Sequence, residues 1–498
     1  MVALAPVAGT GVVVGFTVNH QRWLATFEPP YVIAIVALDE DDEVRLTTNI
    51  IHCDPAEVHV GMRVEVEFEQ LADDIALPLF EPIPGAEDGP LPRIPDHRRF
   101  LRPMASSSKF EDKVAITGVG QSRVGRRLGL DPLSLTVDAC LSAVEDAGLI
   151  LDDIDGLATY PGVSSAVGMT EGGIMPLTEA LQLTPTWING GGDTPGQLGS
   201  VMSAMLAVAS GLVRHVLCFR TVWESTYADL ARSGRWAADA GRASGMVEHR
   251  LPFGAGSAAN WIGMQASHYM ARYGVTREQL LAPIALTARA NAAVNPEAVY
   301  RDPLSLEDYL QARLITSPFG LYDCDVPVDG AVAIIVSAKD AAADLRKAPV
   351  LVEAVGTQIM ERLSWDQSTL THMPQALGPS AHLWSRTELT PADVDIAELY
   401  DGFTFNCVSW LEGLGFCGFG EAADFLDGGR TIAVDGPLPV NTHGGQLSAG
   451  RLHGYGFLRE AVLQLRGEAP GAQVKDPRVA VVSAGGGVPS GAMLLRKA

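Results

Sequence analysis

The sequence predicts a small all-β barrel followed by a large α/β domain, and three observations carry that reading. Residues 9 to 82 hold five short β-branched runs, segments after Lys113 alternate between strand-like and helix-like patterns, and four glycine-edged turns punctuate that second region. At 498 residues with 47% hydrophobic content, the chain is long enough for two or three domains around a sizeable core.

The runs of the first module are Gly11–Thr17, Tyr31–Leu38, Val44–Ile51, Met62–Phe68 and Leu77–Phe80. Turn signals such as Asp39-Glu40-Asp41-Asp42 and Asp54-Pro55 separate them. Five strands so closely spaced suggest a closed barrel of OB type. The module carries three Arg, no Lys and fourteen Asp or Glu, so it lacks the cationic groove that a nucleic-acid-binding OB barrel needs.

Residues 83 to 112 read as a linker, kept extended by Pro84, Pro90, Pro92, Pro95 and Pro103 and loosened by Ala105-Ser106-Ser107-Ser108. Arg93, His97, Arg98, Arg99 and Arg102 form a basic patch within it, either a domain-docking surface or a contact for a polyanionic ligand. Met104 ahead of the serine run resembles the start of a once separate chain. The expected organisation is 1–82, 83–112 and 113–498.

In the third region Val114–Gly118 reads as a strand and Ser134–Ala147 as an amphipathic helix ended by Gly148. A small-residue helix, Leu198 to Gly211, follows the turn Gly190-Gly191-Gly192-Asp193-Thr194-Pro195. Val213–Phe219 is a strand, and Ala266–Tyr273 lies in a helix closed by Gly274. Val328–Val336 and Val350–Val355 are strands, and Ala397–Tyr400 ends another before a helix from Thr404 to Leu414. Arg478–Ser483 is the last strand. This alternation predicts a covered, largely parallel sheet.

The formal charge of −23 argues against nucleic acid or anionic membranes as partners. Six cysteines show neither a CxxC pair nor zinc spacing, so they read as reduced thiols of a cytoplasmic protein without a metal site. No basic leader and no apolar run of transmembrane length stand out.

Four turns carry the chemistry: Asn189–Pro195, Glu398-Leu399-Tyr400-Asp401-Gly402-Phe403, Asn441-Thr442-His443-Gly444-Gly445-Gln446-Leu447-Ser448-Ala449-Gly450, and Ser483-Ala484-Gly485-Gly486-Gly487. In this order, with Tyr273–Leu280, Ser317-Pro318 and Asp329-Gly330-Ala331, residues 113–498 resemble the thiolase superfamily, above all its sterol-carrier and lipid-transfer branch. The resemblance implies two pseudo-repeated α/β halves in a five-layer αβαβα subunit that forms a homodimer.

A thiolase acylates a cysteine, and here that position falls at Thr194, a far weaker nucleophile. The other thiolase catalytic positions fall at Tyr400, Arg451 and Ser483, while the flanking glycines stay in register. Covalent acyl transfer is thereby disfavoured. Tyr400 is an acid/base candidate whose pKa Arg451 is placed to lower. His453 and Tyr455 are candidates for the complementary group. Asp401 is placed to orient a partner or cap the following helix; Asp193, Tyr322 and Asp323 are lesser candidates. Backbone N–H groups at Gly485 and Gly486 suit an oxyanion hole.

A tyrosine at position 400 with the cysteines lost resembles the steroid side-chain-cleaving aldolases, whose partner is an OB-fold acyl-CoA-associated domain. Pro29-Pro30-Tyr31-Val32, Thr47-Thr48-Asn49-Ile50 and Leu77-Pro78-Leu79-Phe80 match that partner, without its four-cysteine zinc ribbon. The resemblance implies retro-aldol cleavage of a β-hydroxyacyl-CoA, such as a steroid 17-hydroxy side-chain thioester, to a ketone and propionyl-CoA. It implies no cofactor beyond the coenzyme A of the substrate. An enoyl-CoA hydratase is the expected partner. The competing readings are an acyl-CoA-binding scaffold and an acyltransferase using Thr194, Cys407 or Cys417.

Overall fold

The computed structural model describes residues 5–94, 101–161, 173–191, 194–234, 249–360, 370–487 and 489–498. His97, Arg98, Arg99 and Asp193 lie outside the described residues.

The acidic first module is a barrel of β1 (Thr10–Asn19), β2 (Tyr31–Leu38), β3 (Asp41–Asn49), β4 (Arg63–Ala72) and β5 (Ile75–Pro82). β1 pairs with both β2 and β4, and a bridge between Ile50 and Phe80 brings the β3 and β5 ends together to close it. Alternate residues fill its interior, among them Val13, Val32, Val36, Val64 and Phe80.

The second region builds a nine-stranded sheet. Its first half contains β6 (Val114–Gln121), β7 (Gly156–Thr159), β8 (Trp187–Asn189), β9 (His215–Trp223) and, after two short strands β10 (Leu314–Thr316) and β11 (Phe319–Gly320), β12 (Asp329–Ala338). The second half contains β13 (Val350–Gly356), β14 (Ile396–Glu398), β15 (Val479–Ala484) and β16 (Gly491–Lys497). In space the order is β14-β15-β16-β13-β6-β12-β9-β7-β8. With the Val440 to Ala397 bridge counted as the third strand of the second half, each half places its second, fourth, fifth and first strands side by side, and β8 and that bridge lie outermost. The halves meet at β6 and β13. This is a thiolase-like internal repeat.

The sheet is mixed rather than largely parallel. Only the β7–β8, β7–β9 and β14–β15 pairs are parallel. The fifth strand of each half runs antiparallel between the fourth and first. In the second half the tight return from β15 to β16 explains this, because a short connection can only join antiparallel neighbours.

Helix Pro132–Ala147, N-capped by Asp131 and closed by Gly148 in the left-handed conformation, covers one face of β6, β9 and β12. Helices Gly199–Ala209 and Tyr455–Arg466 pack on the opposite face. Their small or apolar faces carry the two halves of the site.

The barrel docks onto the second region through backbone and side chain. Asn19 pairs with Thr316 of β10, and the N–H of Ser317 donates to Val18 O at 3.0 Å. Asn260, on helix Ala258–Tyr273, donates to Asn19 Oδ1 and Thr316 Oγ1, both at 3.1 Å. These bonds are buried, so a substitution that removes one partner at the junction leaves the other without a hydrogen bond and out of reach of water.

Candidate active site

The loop after β14 carries Tyr400, 2% exposed. Its backbone N–H donates to Ser483 Oγ at 3.0 Å. Ser483 thus accepts from the Tyr400 backbone and ties this loop to β15. A side chain at position 402 would sit 3.1 Å from the Tyr400 hydroxyl, so glycine there lets the ring fold back over its own loop.

Asp401 does not cap the following helix; its carboxylate orients the neighbouring loop. It accepts from the Gln446 N–H at 2.8 Å and from Asn441 Nδ2 at 2.9 Å, pinning the 441–450 loop to the Tyr400 loop. The approach is so close that a Cβ at Gly445, where φ is 59°, would meet Asp401 Oδ2 at 1.9 Å. The following helix Thr404–Gly413 is closed by Phe403 and Asn406 instead.

Arg451 was the expected perturber of Tyr400, but two carboxylates occupy it. Nε donates to Glu224 Oε2 at 2.8 Å, and Nη1 to Asp325 at 3.0 and 3.2 Å. Burial and then Asp325 raise the Tyr400 phenol above its ordinary range, outweighing the downward pull of Arg451 and Gln446. Tyr400 is a protonated phenol at rest.

Tyr455 is completely buried, with its hydroxyl 2.6 Å from Ser200 Oγ. Burial raises its pKa too. His453 sits two residues earlier at φ 43°, and its backbone N–H donates to Gln446 Oε1 at 3.0 Å. Burial first, then Arg220 and Arg451, push its imidazole well below the ordinary range, so it is neutral.

Thr194 is spent locally, its hydroxyl donating to Gly196 O at 2.8 Å. At Gly485, where φ is 102°, the carbonyl accepts from Trp410 Nε1 at 3.0 Å, and the Gly486 carbonyl accepts from Asn406 Nδ2 at 3.2 Å. Both carbonyls are thereby fixed. Asp323 binds Tyr309, Arg277, the Gly320 N–H and Thr404, a structural anchor. Tyr322 packs under Arg289.

Four participants escaped the sequence reading: Arg220, Glu224, Asp325 and Gln446. The strand expected over Val213–Phe219 continues to Trp223, and Arg220 lies on its inner face. A lone arginine inside the run Val216-Leu217-Cys218-Phe219-Arg220-Thr221-Val222 was the available signal. Gln446 places its buried amide beside the Tyr400 hydroxyl, where it acts to lower that phenol. Asp325, largely desolvated, is pushed up to about 7.

That shift has a stability consequence. Asp325 binds its proton more tightly folded than unfolded, so its contribution is fully present below the unfolded carboxyl range and is lost as pH rises through about 7. The stability of the wild type relative to Asp325→Asn is expected to fall between about pH 4 and 7, measured by paired thermal melts. A constant difference would refute the raised carboxyl.

All six cysteines are free, and burial raises every thiol, Cys417 to about 12. None is a ready nucleophile at neutral pH.

Residues 358–495 match the thiolase C-terminal domain-like family model, and residues 5–69 match the ChsH2, C-terminal OB-fold domain model. The steroid side-chain-cleaving aldolase of Thermomonospora curvata is 35% identical over 391 residues, covering 76% of this chain and 97% of the relative. The chain belongs to the steroid side-chain-cleaving aldolases. The 17-hydroxy-3-oxo-4-pregnene-20-carboxyl-CoA lyase of Mycobacterium tuberculosis is also 35% identical, over 77% of this chain and 99% of its own length. Among solved structures, the Ltp2-ChsH2(DUF35) aldolase superposes with a TM-score of 0.69 at 32% identity, covering 77% of this chain and 98% of that one. In this aldolase the OB-fold module and the thiolase-like region share one chain and one continuous hydrogen-bonded junction. No described helix is long and apolar enough to cross a membrane.

Proposed function

We propose that this aldolase cleaves a β-hydroxyacyl-CoA, with a steroid 17-hydroxy side-chain thioester as the favoured substrate, to a ketone and a short acyl-CoA such as propionyl-CoA. The observation that carries the reading is a thiolase-like site in which protonated phenols and a neutral imidazole replace the nucleophile while every thiol is silenced. Acyl transfer needs a covalent acceptor; retro-aldol cleavage needs only proton traffic and enolate stabilisation.

In this scheme the substrate hydroxyl gives its proton to Asp325, the carboxylate near Tyr400 that is held by Arg451 and titrates near neutrality. The carbon–carbon bond breaks as the hydroxyl carbon becomes a ketone, and the electron pair passes to the thioester as an enolate. Tyr400 protonates the enolate carbon, and the Asp325 proton returns to Tyr400 to close the cycle. Tyr455 is the complementary donor, and Gln446 Nε2 and the turn at Gly485 and Gly486 face the enolate oxygen. Nothing in this sequence calls for a metal or redox cofactor. The thiolase-like region forms the homodimer, and an enoyl-CoA hydratase supplies the hydroxyl by hydrating an enoyl-CoA.

The test is incubation with a panel of β-hydroxyacyl-CoAs, identifying the ketone and released acyl-CoA by mass, before and after treatment with a thiol alkylator. Cleavage that survives alkylation is expected. Tight acyl-CoA binding without product would indicate a scaffold, and loss of activity on alkylation a thiol-dependent acyltransferase.

A further inference from the structure

Arg220 is a cation buried without an ion-pair partner. It is 2% exposed, and among the described residues no carboxylate bonds to it. Glu224 acts on it only through space, its own carboxylate being held by Arg451. The guanidinium donates from Nη1 to Tyr160 O at 2.5 Å and from Nη2 to His453 Nδ1 at 2.9 Å, lies 5.3 Å from the Tyr160 ring centroid, and leaves Nε unpartnered. Burying such a charge is costly, so an unpaired one bonded to His453 points to a role in the chemistry.

The contact with His453 decides a proton position. A guanidinium only donates, so the imidazole nitrogen facing it must accept and carries no hydrogen. The single ring proton of His453 therefore sits on Nε2. A second proton would set N–H against N–H beside two cations, Arg220 and Arg451. The backbone holds the ring in that pose, with the His453 N–H on Gln446 Oε1 and the His453 carbonyl accepting from the Tyr455 N–H at 2.5 Å. A non-glycine residue at φ 43° persists only where its surroundings enforce it.

We propose that Arg220 is a positioning residue that locks His453 as the neutral Nε2–H tautomer, and that this N–H donates to the thioester oxygen as it becomes an enolate. The inference rests on the aldolase reading above. No proton leaves His453: the electron pair of the broken carbon–carbon bond moves onto the thioester oxygen and returns to carbon when Tyr400 delivers its proton. A neutral N–H stabilises that oxygen without surrendering a proton to it, and it remains a donor across the working pH range.

The test uses full-length protein carrying ¹⁵N-histidine, with the His453 signals assigned by their loss in His453→Gln. One protonated and one bare ring nitrogen are expected, unchanged between about pH 5 and 8. In Arg220→Leu, Nδ1 loses the donor that keeps it bare, and the ring-nitrogen signals are expected to shift toward a mixture of the two neutral tautomers. Its kcat falls about 10²–10³-fold with KM little changed. Arg220→Lys, which keeps a donor, restores the tautomer and most of kcat. A wild-type His453 that titrates in this range, or an Arg220→Leu protein with unaltered ring-nitrogen signals and kcat, overturns the proposal. Should the wild type cleave no β-hydroxyacyl-CoA, the aldolase reading falls, while the ring-nitrogen spectrum still decides the Arg220–His453 assignment.

Discussion

Tyr400→Phe is expected to lower kcat for β-hydroxyacyl-CoA cleavage by about 10²–10⁴-fold while leaving the protein folded. The substitution removes one oxygen and keeps the ring. That ring is buried against Gly402 and lies 6.4 Å from the Phe457 ring, so the packing survives. The backbone bond from Tyr400 to Ser483 is independent of the hydroxyl. What disappears is the protonated phenol assigned to deliver a proton to the enolate carbon. Steady-state kinetics paired with thermal melts separate the two effects: a large fall in kcat at unchanged melting temperature supports the assignment, and near wild-type kcat removes Tyr400 from the chemistry.

Arg451→Met is expected to produce the largest loss of stability, about 3–5 kcal/mol, because it strips the cation from two desolvated carboxylates. The Glu224 and Asp325 side chains are 8% and 7% exposed, and Arg451 binds both. With the guanidinium gone they face each other, and Asp325, already raised, rises further. The damage is therefore pH-dependent with a fixed sign: below its raised value Asp325 takes a proton and part of the loss is recovered, whereas above that value its charge persists unpaired. Denaturant midpoints of the variant and wild type at acidic and alkaline pH measure this. A gap that does not narrow in acid would show that Arg451 matters for its packing instead.

The elements closest to their sequence signals were those with strong local pattern. The barrel strands appear within a few residues of their β-branched runs, and Gly148 and Gly274 close their helices in the left-handed conformation. Strand directions were not legible, since alternation of strand and helix records order along the chain and not which neighbour each strand meets. β16 went unread for a related reason: Gly491–Lys497 follows a glycine turn and ends in charge, so its pairing with β13 and β15 defines it more than its composition does.

The sequence by itself determined the chemistry available to this protein: four glycine loops in thiolase order, a tyrosine, an arginine and a serine where that chemistry needs other groups, and an acidic barrel without a cationic groove. Residue identity and spacing are one-dimensional facts, and they suffice to show that a nucleophile is missing. Tertiary structure decided which replacements face the reaction. It turned Ser483, Asp401 and Arg451 into supports, raised the Tyr400 phenol where the sequence suggested it would fall, and brought Arg220 to His453 across 233 residues of chain. The reason is physical: proton positions and charge states depend on burial and on the nearest partner, and neither exists until the two halves of the sheet have packed together.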